Sequence, residues 1–240
     1  MNYIKKIFKP KKKVLEYTEK DWLRELDWAN VYHDSIRGKS YLENLSLNVG
    51  RWAGNYAFFY VLNRIMHDFK PQKIIEFGLG ESTKFITSCI KGLNYDCNYL
   101  IVEQNEQWKL SFETNNELSK NANILHCPIK TKNINGFNVN IYEDLQSKIN
   151  YNADLYIVDG PYGSDRFSRY DIYYLVEKFN ANSEFIILLD DCQREGELDT
   201  YYALKKIFKE KGIHCFTAEY SGVKTLKLLV SYKYKYSTSF

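Results

Sequence analysis

No apolar run in this 240-residue chain approaches the ~20 residues of a membrane-spanning helix. The longest candidate, 52–63, is bounded by Arg51 and Arg64. The lysine-rich start lacks the apolar stretch and small-residue cleavage site of a secretory signal, so a cytoplasmic location is expected. Five cysteines, Cys89, Cys97, Cys127, Cys192 and Cys215, are scattered and form no C-x-x-C pair, which reads as reduced thiols rather than a disulfide framework. None of the four histidines, His33, His67, His126 and His214, has metal-ligand spacing to another or to a cysteine, so packed or surface roles are expected. Repeats and low-complexity segments are also missing. What remains is a chain of one-domain size, long enough to bury roughly 70–75% of its unfolded surface.

The charge is unevenly placed. Residues 1–13 carry six lysines and no acid, and the rest of the chain holds 27 basic against 30 acidic residues. A mildly acidic body disfavours nucleic acid, which calls for Lys and Arg spread over a face of the fold. The basic tail, taken as 1–20, also contains Ile4, Ile7 and Phe8. It reads either as a solvated extension or as a peripheral contact with an anionic membrane or a partner, and Pro10 limits any helix there to about two turns.

Strand patterns alternate with helical ones. Apolar strands are expected at 73–77, 98–103, 123–127, 154–159 and 184–190, with helices at 81–92, 105–119, 165–180 and 197–211. Segments 213–219 and 223–232 flank Ser221-Gly222 and read as a closing antiparallel hairpin. The expected fold is α/β, a mainly parallel sheet covered on both faces. Helical patterns at 21–31 and 51–69 are expected to form an N-terminal helical cap, 21–70, ahead of a domain at 71–240.

Chemistry concentrates at strand ends. The run Lys73-Ile74-Ile75-Glu76-Phe77-Gly78-Leu79-Gly80-Glu81-Ser82 joins an acid-ended strand to a Gly-x-Gly turn. Gly78 and Gly80 let the backbone approach a ligand, while Glu81, Ser82 and Thr83 open a helix whose free N–H groups favour an anion. A carboxylate, Glu76, beside such a terminus suits a zwitterion. The next strand ends in Glu103, 27 positions on. A carboxylate there accepts both hydroxyl hydrogens of a ribose. A nicotinamide dinucleotide is disfavoured because Thr83 stands at the third glycine position of that fingerprint. Farther along, Asp159-Gly160-Pro161-Tyr162 ends one strand and Asp190-Asp191 the next. Three carboxylates crowded together call for a positive partner, and Mg²⁺ or a similar hard cation would serve.

The first of these motifs resembles that of class I S-adenosylmethionine-dependent methyltransferases, acidic-x-Gly-x-Gly-x-Gly. The resemblance covers roughly residues 70–230. It implies a Rossmann-like seven-stranded sheet with a C-terminal antiparallel hairpin, and S-adenosylmethionine held by Glu76, Gly78, Gly80, Ser82, Thr83 and Glu103. The Asp159 and Asp190 region is similar to the catechol O-methyltransferase type of site, where two Asp and an Asn hold a cation; here Asp191 stands in the Asn place. D-G-P-Y-G, S-R-Y and L-D-D-C-Q-R-E look like a methyltransferase group some of whose members modify sugars. The implied activity is O-methylation of a sugar, glycan or other small hydroxylated acceptor. Asp159 is then the base or a metal ligand, assisted by Asp190 and Asp191, and Tyr162, Arg166, Arg169 and Arg194 are candidates for the acceptor. Two alternatives stay open. One is nitrogen methylation, since D-G-P-Y differs by one residue from the D-P-P-Y turn of amino-methylating enzymes; the other is a non-catalytic binding protein.

Overall fold

Ile74, Ile75, Glu76 and Phe77 have no exposed face, the pattern of a strand covered on both sides. In the computed structural model, which describes residues 17–50 and 52–240, this strand lies third from one edge of a seven-stranded sheet. Helices α1 (Glu19–Ile36), α2 (Ser40–Glu43) and α3 (Tyr56–Asp68) come first, followed by β1 (Lys73–Phe77), α4 (Glu81–Leu93), β2 (Asn98–Glu103), α5 (Glu106–Asn115) and β3 (Ala122–His126). Next are β4 (Ile129–Ile134), β5 (Phe137–Tyr142), α6 (Leu145–Lys148), β6 (Leu155–Val158), α7 (Asp171–Val176) and β7 (Ile186–Leu189). The chain closes with α8 (Glu195–Glu210), β8 (Phe216–Ser221), β9 (Thr225–Val230) and a 3₁₀ helix, Tyr232–Ser239. The basic tail falls on residues 1–16, outside the described residues, apart from its last four positions.

The main sheet has the order β3-β2-β1-β6-β7-β9-β8. All neighbours are parallel except β9, which is antiparallel to both β7 and β8. The chain winds outward from β1 to β3 and returns to the other side of β1 as β6. That reversal makes a topological switch point between β1 and β6, where open α/β sheets bind ligands outside the carboxyl ends of their strands. Apolar layers cover the sheet on both faces: Phe58, Phe59, Leu62 and Phe85 belong to one, Phe179, Phe185, Leu204 and Phe208 to the other.

Two segments differ from the sequence reading. Residues 129–142 form a separate antiparallel hairpin, β4 with β5, turning at Asn135 and Gly136, both with positive φ. An Asn-Gly pair is favoured there because a two-residue turn of this hand needs φ above zero at both positions. The helix expected at 165–180 is only α7, because Phe167 (φ 49°) and Arg169 (φ 58°) adopt left-handed conformations that no helix accommodates. No helix among the described residues is long and apolar enough to cross a membrane.

Candidate active site

Gly78 is a position where only glycine fits without strain. Its φ is +97°, and a Cβ would stand 3.2 Å from the Asp159 carbonyl oxygen, so the ends of β1 and β6 meet there. Gly80 is different. Its backbone is extended (φ −177°), and nothing lies within 4 Å of where its Cβ would be. That empty space opens onto a cleft of ≈ 670 Å³ lined by Gly78, Gly80, Ser82, Glu103, Asp159 and Lys224, among others.

Glu76 does not face this cleft, which corrects the expectation that it meets the ligand. It is fully buried and accepts hydrogen bonds from Ser82 Oγ, Thr83 Oγ1 (2.8 Å) and Tyr99 Oη. Thr83 is equally inaccessible, and its Oγ1 also accepts from the Gly80 N–H at 3.1 Å. These two residues therefore shape the turn from below. Burial pushes the Glu76 carboxyl up to about 7, against the pull of its three hydroxyl donors. Ser82 lies on the cleft wall, but its hydroxyl is committed to Glu76, which leaves its backbone N–H in the first turn of α4 for a ligand.

Glu103 does face the cleft. Its Oε2 accepts the Leu79 N–H at 3.1 Å and its Oε1 the Asn105 N–H at 2.7 Å. Each oxygen keeps a free lone pair, the arrangement that two vicinal hydroxyls need. Asn105 caps α5 through the Trp108 N–H (3.0 Å), and the Trp108 indole donates to the Leu79 carbonyl at 2.8 Å, which holds its half-exposed ring against the cleft. Gln104, not singled out in the sequence, accepts the Tyr162 N–H at 2.8 Å and so ties the β2 end to the turn after β6. The sequence offers no signal for that contact.

Beyond this turn the three aspartates gather as expected: one oxygen from each of Asp159, Asp190 and Asp191 lies within 4.8 Å of the others. Their positive partner is built in. Arg169 Nη2 lies 2.8 Å from Asp159 Oδ1 and 2.7 Å from Asp191 Oδ2, while its Nη1 donates to the carbonyl oxygens of Asp190 (3.0 Å) and Val158 (3.3 Å). Lys224 Nζ stands 3.4 Å from Asp191 and 3.8 Å from Asp190, and donates to the Ala53 carbonyl at 2.7 Å. Burial raises Asp159 to about 6 although Arg169 opposes it. Burial and the neighbouring Asp191 raise Asp190 to about 7. Asp191 moves the other way: burial alone would raise it, but Arg169, Lys224 and Arg194 together hold it well below the usual carboxylate range.

The residues present fit S-adenosylmethionine: a glycine cradle with empty space, a helix terminus, and a carboxylate with two open lone pairs share one cleft. They do not fit a divalent cation. Arg169 lies between Asp159 and Asp191 and Lys224 beside them, so a dication placed there would stand against two fixed positive charges, although neither oxygen of Asp190 has a hydrogen-bond partner. The acceptor candidates separate. Tyr162 and Arg194 line the cleft. Arg166 is outside its lining, paired with Asp199 at 2.5 Å. Arg169 touches the cleft wall but is spent on the aspartates, which corrects its expected place as an acceptor anchor. Lys224, which lines the cleft beside Asp190 and Asp191, was not singled out in the sequence.

The connection between α2 and α3 takes part through Asn48, Trp52 and Ala53, which line the cleft mouth. The Asn48 N–H donates to Glu81 Oε2 at 3.1 Å. Phe59 and Leu62 are fully buried, whereas Trp52 is 92% exposed.

The sheet order, the single antiparallel strand β9 within it and the strand-end cleft define the class I methyltransferase fold. No protein-family model and no curated sequence matches the chain. Among solved structures it is similar to a candidate caffeoyl-CoA O-methyltransferase from Staphylococcus aureus, with TM-score 0.50 and 10% identity over 87% of this chain and 100% of that one. It is also similar to the S-adenosylhomocysteine-bound methyltransferase PaMTH1 from Podospora anserina (TM-score 0.48, 11% identity, 90% and 98% of the two chains). A third similarity is to a candidate O-methyltransferase from Klebsiella pneumoniae (0.46, 13%, 91% and 92%). At 10% identity the first of these likenesses concerns the fold alone.

Proposed function

We propose that this protein methylates a hydroxyl of a small acceptor, of sugar or glycan type, with S-adenosylmethionine as methyl donor. The observation that carries this reading is the convergence of the 78–80 turn, the Glu103 carboxylate and the Asp159 carboxylate on one cleft, from the ends of three adjacent strands. When bound, S-adenosylmethionine supplies an electrophilic methyl group. Glu103 holds the ribose hydroxyls, the first turn of α4 receives the amino-acid carboxylate, and Trp108 offers a ring beside the purine.

Asp159 accepts the acceptor's hydroxyl proton as that oxygen becomes nucleophilic. A carboxyl raised to about 6 is ionised at neutral pH yet basic enough to take the proton. Lys224 has one short bond, to Ala53 O, and two longer ionic contacts. One of its donors is therefore open to the acceptor oxygen, where fixed positive charge stabilises developing negative charge. The site supplies this charge itself, and no step needs a metal ion. Trp52 and Tyr162 at the cleft rim present flat apolar faces suited to the C–H face of a sugar ring.

Methyl-labelled S-adenosylmethionine incubated with a panel of glycosides, uronides, phenols and amines tests the reading. Label in a methyl ether is the expected result, and transfer to amines alone would overturn it.

A further inference from the structure

The first half of α1 carries three large apolar side chains that stand mostly in water: Trp22, Leu23 and Leu26 are 56%, 67% and 61% exposed. Amphipathic helices turn such a stripe inward, yet α1 buries its other face, through Glu25, Tyr32 and Ile36. The chain just before this helix is the basic one. Over residues 1–27 there are eight basic and five acidic residues, and six of the eight are the lysines of 1–13. Glu25 fixes where the apolar stripe lies. It belongs to the same helical turn, about 60° around the axis from Trp22 and about 100° from Leu26, and its Oε2 accepts from the Val223 N–H (3.1 Å) and Asn55 Nδ2 (2.7 Å). The next residue, Lys224, lines the cleft. The exposed stripe is therefore at the cleft end of the fold.

We propose that this face of α1 docks on an anionic lipid bilayer. Trp22, Leu23 and Leu26 enter the headgroup region, and the lysines of 1–13 are held by anionic headgroups. A tryptophan flanked by leucines suits the interface, where an amphipathic ring finds both phases. Each lysine near an anionic surface contributes about fivefold in partition. A second copy of the chain is the less favourable occupant, because self-association through α1 brings two six-lysine segments together. Docking would hold the cleft close to the bilayer, where an acceptor anchored in lipid is within reach. The docking itself does not depend on the reaction proposed above.

Sedimentation of the full chain with vesicles of phosphatidylcholine, with and without phosphatidylglycerol, tests this. Binding to the anionic vesicles is expected to exceed that to neutral ones by at least about tenfold and to weaken as salt rises. The surface variant W22S/L23S/L26S is expected to lose at least about tenfold while its melting temperature stays near that of the parent. K11Q/K12Q/K13Q keeps the apolar stripe and is expected to lose roughly 100-fold. No preference for anionic vesicles, or unchanged partition in both variants, would overturn the proposal. So would a dimer, seen by light scattering, that W22S/L23S/L26S dissociates without any effect on vesicle binding.

Discussion

Arg169 Nη2 lies 2.7 Å from Asp191 Oδ2, and both residues are almost completely buried. Each has a left-handed backbone, with φ of 58° and 60°, a conformation that costs an ordinary residue energy. The pair bridges the segment after β6 to the segment after β7, and Asp159 is drawn into the same guanidinium. The position where a divalent cation was expected is thus held by an arginine from the chain itself.

Removing that guanidinium leaves buried carboxylates uncompensated. Arg169→Met is expected to cost about 3–5 kcal/mol, as measured for buried pairs that lose one partner. Urea unfolding gives the number. A loss within ~0.5 kcal/mol, the range of ordinary surface changes, would mean that the network holds nothing together.

Asp159→Asn is expected to reduce turnover by about 100-fold or more, the range for loss of a general base. Affinity for S-adenosylhomocysteine should stay within a few-fold, since Glu103 and the 78–80 turn are untouched. Parent-like turnover would remove the proton-accepting role.

Chelation should leave the parent enzyme's rate unchanged, and calorimetry with Mg²⁺ should show no site. Lys224→Met should lower turnover while S-adenosylhomocysteine affinity holds, with Lys224→Arg restoring part of the rate. A rate abolished by chelator and restored by Mg²⁺ would contradict a site that carries its own positive charge.

Stability should fall as pH rises from about 5 to about 8. Glu76 and Asp190 keep their protons up to about 7 in the folded chain, whereas the unfolded chain gives them up near the ordinary carboxylate values. Between those limits the folded state binds more protons, so raising the pH favours unfolding, by about 1.4 kcal/mol for each unit of displacement. Asp191 contributes in the opposite sense, but only below the ordinary carboxylate range. Melting curves across this interval check the slope, and Glu76→Gln should flatten it. A melting temperature that rises from pH 5 to pH 8 would reverse the assignment.

Much of the fold was legible because the central strands are apolar on both faces and end in turns. β1 and β2 lie where the sequence placed them, and the other expected strands differ by one to three residues at their ends. The β4–β5 hairpin was missed despite its signal, Asn135-Gly136 between alternating residues. Placement on the cleft was legible where it depends on a residue's own strand end, as for Glu103 and Asp159. It was not legible where the role depends on a distant partner. Glu76 precedes the turn like a ligand-binding acid, but Tyr99, from the neighbouring strand, turns it inward. Lys224 matters only because β9 pairs antiparallel with β7 and brings its start beside Asp190 and Asp191.

The most direct test of a methyl-donor cleft is calorimetric titration of S-adenosylhomocysteine into the parent protein and Glu103→Ala. Micromolar affinity is expected, weakened about 10- to 150-fold in the variant, the loss that corresponds to one charged hydrogen bond. No binding by the parent, or equal binding by both proteins, would contradict the account.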